Sequence, residues 1–320
     1  DVSVNTSSGN SYAAGIYVNP APNATATLTG NTIRNIHIKN AASAQMQVYG
    51  ITSTSATNVN AVESLQGNII DSVYIDDVNL GAQVPFVFGM FFNNNQTGSD
   101  RVIAQNTISN IFTTAGTNGQ VMGIGFFNGK QSDVRRNHVS KLFAGRGSAG
   151  TASIIRGVYL LQNSGVGSLV NNFVSIDLTQ DPDVTRSTQL NTNWSLVGIE
   201  NSSVANIAND WSIYYNTVRI AGAGNTNFGA AAFLGTQATT IMDLRNNIFA
   251  NYAVPSGTGF AAAIRRNAGP AGYALTSNNN LYFTTQTATT PIAHFQSTAY
   301  VTLPIFKSSP YVAGREAASI

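Results

Sequence analysis

From Leu28 to Ile38 the chain reads Leu-Thr-Gly-Asn-Thr-Ile-Arg-Asn-Ile-His-Ile, with apolar and polar positions in near alternation. That two-residue period predicts a half-buried strand. An aliphatic residue stands three before Asn31 and another two after it. The same flanks return around Asn68, Asn106, Asn137, Asn172, Asn216 and Asn247. Leu28, Leu65, Ile103, Val134, Leu169, Ile213 and Leu244 lead, and Ile33, Ile70, Ile108, Val139, Val174, Val218 and Phe249 trail. Leu275 places an eighth copy at Asn278, although its trailing position is Asn280. Eight copies make this a repeat protein.

A second landmark, a Gly followed by apolar residues, precedes each Asn: Gly15-Ile-Tyr-Val, Gly50-Ile, Gly89-Met-Phe-Phe, Gly123-Ile-Gly-Phe-Phe, Gly157-Val-Tyr-Leu-Leu and Gly198-Ile. Weaker versions lie at Ala231–Leu234 and Ala263–Arg265. Landmark and Asn are 14 to 18 residues apart, whereas the interval to the next landmark varies from 15 to 26. One strand starting at the Gly, one leading into the Asn and one following it account for that spacing. The expected fold is all-β: a right-handed parallel β-helix solenoid of about eight coils, each of three short strands, with loops on one side. No coil buries its apolar face alone, and stacking sets each strand about 4.8 Å from its counterpart. The Asn suits this design because it tolerates a left-handed corner and because identical side chains one coil apart can hydrogen-bond as a ladder. The expected ladder is Asn31, Asn68, Asn106, Asn137, Asn172, Asn216, Asn247 and Asn278.

The expected β-helix spans 1–303, with 304–320 a link toward a following region. Val2 and Val4 read as the last strand of an earlier coil, and neither end offers an amphipathic helix to cover the core. A segment of a larger protein is the economical account. The longest interval, Asp177 to Trp194, reads as a protruding loop.

Charged residues are only 9% of the 320, replaced by Asn, Thr, Ser and Gly, and the net charge is +2. No basic block points to nucleic acid, and no apolar run is long enough to insert in a membrane. Cysteine is absent, which excludes disulfide and thiolate-metal frameworks. The composition resembles that of exported β-proteins.

Chemistry is sparse. Asp76 and Asp77 alternate in direction on one strand, so they do not converge. Arg135–Arg136 and Arg265–Arg266 lack an acidic cluster at a matching position. Arg34 and Asp71 fall at one coil position and predict a surface ion pair. His37, His138 and His294 form no metal-spaced set, so neither metal nor cofactor is expected. A regular Thr array, as ice binding needs, is interrupted by Ile69, His138, Phe173 and Ile248.

One constellation stands out. Two positions after the landmark Gly, opposite the apolar Ile16, Met90, Val158 and Ala232, the reading places Tyr17, Phe91, Tyr159 and Phe233. Thr52, Gly125, Glu200 and Arg265 share the column. Outward rings can stack on sugars or bury against a protein surface.

The motifs Asn-Thr-Ile-Arg-Asn-Ile at 31–36, Asn-Thr-Ile-Ser-Asn-Ile at 106–111 and Asn-Asn-Ile-Phe-Ala-Asn at 246–251 resemble the pectate-lyase-type β-helix repeat. With Gly-Ile-Tyr-Val and Ser-Asn-Asn-Asn-Leu-Tyr-Phe at 277–283, the chain is similar to β-helical regions of very large secreted surface proteins exported by the type IX system of Bacteroidota. That resemblance implies an extracellular, cell-surface stalk, filament or adhesin segment. Its partners would be other segments of the same protein, copies of itself in an assembly, or surface glycans. No family catalytic residue carries over. The alternatives are a polysaccharide lyase or glycoside hydrolase whose groove is walled by 177–194, and a trimeric tailspike-like receptor binder.

Overall fold

The computed structural model describes residues 2–4, 10–39, 45–55, 61–76, 84–94, 100–114, 119–128, 131–144, 153–161, 167–183, 190, 192–202, 210–236, 241–269 and 272–320. They form a parallel β-solenoid of three sheets, one for each strand of the coil. A glycine sheet runs from Asn10–Val18 through Gln45–Ser55, Val84–Asn94 and Gln120–Asn128 to Ala293–Phe295. A lead-in sheet runs from Thr25–Thr29 to Ile241–Arg245. An exit sheet runs from Val2–Val4 to Leu281–Phe283. Every strand pairs in parallel with its counterpart one coil away, until an antiparallel hairpin of Ala293–Phe295 and Thr298–Tyr300 closes the glycine sheet. Among the described residues no helix is long and apolar enough to cross a membrane.

The stacked aliphatics predicted from the flanks are the core. Ile70, Ile108, Val139, Val174 and Val218 trail their Asn in one fully buried row, and Ile103, Val134, Leu169, Ile213 and Leu244 lead in another. Each such side chain contributes roughly 1.5–3 kcal/mol on burial. The landmark glycines have a steric cause. A Cβ at Gly123 would lie 2.3 Å from Val139 Cγ1 and 2.6 Å from the Gly157 carbonyl oxygen, and Gly15, Gly50, Gly89, Gly157 and Gly198 meet the equivalent obstacles. At these six glycines the inward direction is already filled by the trailing aliphatic side chain and the next coil's carbonyl, which leaves no room for a side chain; in the last coils Ala232 and Ala263 take the same position.

The ladder forms and uses all four hydrogen-bonding sites of each interior Asn. Asn106 Nδ2 donates to Asn137 Oδ1 and to the Leu65 carbonyl, both at 2.9 Å. Its Oδ1 accepts from the Asn68 main-chain N–H and Nδ2, both at 2.9 Å. The pattern repeats from Asn31 through Asn247. A buried amide so engaged leaves no desolvated donor or acceptor.

Two expectations about the ladder are corrected. Its last member is Asn280, not Asn278: Asn280 Oδ1 accepts from Asn247 Nδ2 at 3.0 Å, and Leu275 is 68% exposed. Ser277 occupies the leading aliphatic position and Tyr282 the trailing one. The left-handed backbone also belongs to the residue before each Asn: Gly30, Gly67, Gln105, Arg136, Asn171, Tyr215, Asn246 and Asn279 all have φ between 55° and 68°.

The segment after Leu303 covers the last coil, contrary to the expectation of an uncovered end. A short helix, Leu303–Lys307, buries Phe306 against Phe295 and Tyr300. Further on, Ser319 Oγ accepts the Asn280 N–H at 2.9 Å, and the Glu316 carboxylate accepts Asn280 Nδ2, the Tyr273 hydroxyl and the Ser319 hydroxyl. Glu316 and Ser319 thus stand where the next coil would supply an Asn.

Part of the 177–194 interval packs back rather than protruding. Leu190 is buried in the core and Trp194 lies over Arg265; residues 184–189 and 191 lie outside the described residues, as does Asp77. Arg34 and Asp71 are in register, but the Asp71 carboxylate is engaged by Ser72, Ser109 and Asn110.

Candidate binding face

The outer face of the glycine sheet carries the aromatic residues. Tyr17, Thr52, Phe91, Gly125, Tyr159, Glu200, Leu234 and Arg265 follow in register across successive strands. Tyr17, Phe91 and Tyr159 therefore share the predicted column. Phe233 does not. Ala232 pairs at the position of Gly198, so the outward residue of that coil is Leu234, and Phe233 sits fully buried in the core against Phe249. Replacement of the landmark Gly by Ala shifts the apparent register by one, and a shift of one exchanges the two faces of a strand.

The structure adds two outward columns that the forward reading from the Gly missed. Alternation reverses through the glycine, because the Gly and the residue after it both turn inward. The residues one and three before it consequently face out. That places Tyr49 and Phe88 in one column, and Tyr12, Gln47 and Phe86 in another. Phe127 joins them through a register irregularity between Phe126 and Asn128.

These side chains form a concavity of about 470 Å³ lined by Tyr12, Tyr17, Gln47, Tyr49, Thr52, Thr54, Phe86, Phe88, Phe91, Asn93 and Phe127. Its floor is a fused aromatic cluster. Phe88 lies 5.4 Å from Tyr49 and 4.8 Å from Phe91, and Phe127 lies 5.1 Å from Phe91, centroid to centroid. Such pairs add about 0.5–1.5 kcal/mol each beyond their buried area, so the floor is rigid. Tyr12 and Tyr17 form the exposed wall, about half accessible to solvent. Tyr159 borders the floor through Phe127, with the Arg156 guanidinium 4.5 Å from its ring centroid.

Polar groups are interleaved with the rings. Tyr17 Oη and Thr54 Oγ1 are 2.7 Å apart, and the Tyr49 hydroxyl donates to Gln47 Oε1 at 2.6 Å. Thr52 Oγ1 is buried without a partner at bonding distance; the Tyr12 hydroxyl is its polar neighbour. Burial raises the Tyr12 and Tyr49 hydroxyls above their ordinary range, so both stay neutral and able to donate. Among the described residues no Asp, Glu, His, Lys or Arg lines the concavity.

The acids considered for catalysis are dispersed. Burial pushes the Asp177 carboxyl up, but hydrogen bonds from Thr179 and Arg219 outweigh it and hold the group below the usual range. Arg135 pairs with Asp133 at 2.7 Å. Among the described residues no three His, Asp or Glu side chains gather as a metal site would require. No protein family, curated protein or solved structure matches this chain.

Proposed function

We propose that this chain is a non-catalytic structural and adhesive segment of a large extracellular surface protein, and that its aromatic concavity holds an uncharged glycan. The observation that carries the reading is the lining itself: stacked rings on a sheet, interleaved with hydroxyl and amide groups and, among the described residues, without a charged side chain. Sugars present apolar C–H faces that stack on such rings and hydroxyls that bond to such groups. Among the described lining residues an acidic polysaccharide would find no cation to offset its desolvation. The surface-protein setting rests on the resemblance of the repeat to β-helical regions of secreted proteins of the type IX kind. Low charge and a continuous solenoid suit a stalk or filament.

Electron microscopy of the intact protein from its native source tests the setting. A long particle containing this solenoid as one stacked part is expected, and a compact isolated particle would contradict it. Binding of neutral oligosaccharides, and its loss in Tyr17→Ala, tests the site.

A further inference from the structure

The residue before each ladder Asn turns the corner between the lead-in and exit sheets, always in the left-handed conformation. Six of these eight residues are Gly, Asn or Gln. The other two are Arg136 and Tyr215, with φ of 55° and 58°. Gly and Asn adopt that conformation readily, whereas a large side chain there is strained.

Arg136 and Tyr215 stand two coils apart, with Asn171 between them. The Arg136 N–H donates to the Val170 carbonyl at 3.1 Å and the Asn171 N–H to the Tyr214 carbonyl at 3.0 Å, which stacks the three corners one above another. With neighbouring strands about 4.8 Å apart, the two outer corners are separated by about 10 Å. Over the shorter Asn171 lies a cleft of about 330 Å³, lined by Arg135, Arg136, Val170, Asn171 and Tyr215.

The cleft is open to solvent. Arg136, Asn171 and Tyr215 are all exposed, Tyr215 at 59%. Among the described residues the Arg136 guanidinium, the Asn171 amide and the Tyr215 hydroxyl have no hydrogen-bonding or ionic partner. Arg135 differs, because it pairs with Asp133 at 2.7 Å, and Asp133 also accepts from Ser168. Within this group of charges one positive charge, that of Arg136, is left over, beside an apolar floor at Val170 and an aromatic wall.

We propose that this corner cleft binds a small aryl carboxylate. The carboxylate pairs with Arg136, whose fork of N–H groups matches two oxygens, and accepts from Asn171 Nδ2. The ring packs on Tyr215 and over Val170. An acidic sugar fits less well, because its ring of hydroxyls would meet one amide and otherwise apolar surface. An inorganic anion would leave the aromatic wall unused. The cleft lies at the corner of the lead-in and exit sheets, away from the glycine sheet, and does not rest on the glycan reading of the aromatic concavity.

Benzoate, benzamide, acetate and glucuronate, titrated at pH 7 and constant ionic strength and followed by ligand-detected NMR, provide the test. Benzoate should bind saturably, and each of the other three at least tenfold more weakly. Arg136→Gln and Tyr215→Asn should each weaken benzoate at least tenfold. Both variants install a residue type that another coil already carries at its corner, Gln105 or Asn171, so the solenoid should melt as the parent does. Benzoate binding that survives both variants lies elsewhere, for instance in the aromatic concavity, and would overturn the assignment. So would acetate, benzamide or glucuronate binding as tightly as benzoate, a comparison on the unaltered protein that needs no variant to fold.

Discussion

Arg101 Nε lies 2.7 Å from Glu63 Oε2, with both side chains turned into the solenoid and sealed from solvent. The two residues pair in register on adjacent lead-in strands, each five before its ladder Asn. The Ser53 hydroxyl also donates to Glu63, and the Arg101 guanidinium stands 4.5 Å from the Phe92 ring centroid. Removing one member of a buried pair strands the other charge, at about 3–5 kcal/mol, whereas apolar replacement of both is far milder. Arg101→Met and Glu63→Leu should each lose about that much, and the double variant much less than their sum. Urea unfolding of the four proteins measures the coupling, and additive losses would show that the two charges do not depend on one another.

The ladder predicts a contrast between two neighbouring asparagines. Asn280→Ala removes the acceptor of Asn247 Nδ2 and the donor to Leu244 and Glu316, and should cost roughly 2–4 kcal/mol. Asn278→Ala loses only the side-chain oxygen that accepts the Asn279 and Ala318 N–H groups near the surface, about 1 kcal/mol or less. Thermal melts of the two variants would reverse that order if Asn278 belonged to the ladder.

Glycines predict a second contrast. Gly123→Ala forces a methyl onto Val139 and the Gly157 carbonyl, and should destabilise by several kcal/mol, as overpacking of a tight core does. Gly30 has φ +68° with nothing within 4 Å of the added Cβ, so Gly30→Ala should cost only about 1 kcal/mol of backbone strain. Equal losses would place the constraint in the backbone rather than in the packing.

Seven ladder positions were legible because each Asn carries aliphatic residues at two fixed offsets. The eighth failed where the same rule met Leu275, an exposed residue, while the true leading position is held by a buried serine, Ser277. Phe233 was misplaced because Ala232 stands where other coils have glycine. Tyr49 and Phe88 were missed because alternation does not run through that glycine. The Glu63–Arg101 pair was visible in principle, since both count five back from an Asn, but charged residues are not expected in the interior. The cover formed by Phe306, Glu316 and Ser319 carries no periodic signal, because it is built from turns and a single helical turn.

Stability should fall with acid in a window set by His294. Its folded pKa of about 4 lies below the unfolded value near 6.5, so protonation favours the unfolded chain. The contribution is intact above pH 6.5 and is lost as pH drops toward 4, by about 2–3 kcal/mol in total. Asp177 and Asp243, both held low, add losses only below the ordinary carboxylate range. Denaturation between pH 7 and 4.5 should therefore flatten in His294→Phe, and an unchanged slope would show that another group governs the window.

Binding of a panel of neutral and acidic oligosaccharides, with the recovered sugars sized afterwards, is the most direct measurement of a non-catalytic, glycan-holding face. The expected result is retention of neutral chains at unaltered length, weakened at least tenfold, about 1.4 kcal/mol, in both Tyr12→Ala and Tyr17→Ala. Those two exposed rings can be removed without disturbing the buried floor. Shortened sugars, a preference for acidic chains, or binding that survives the loss of both rings would contradict the account.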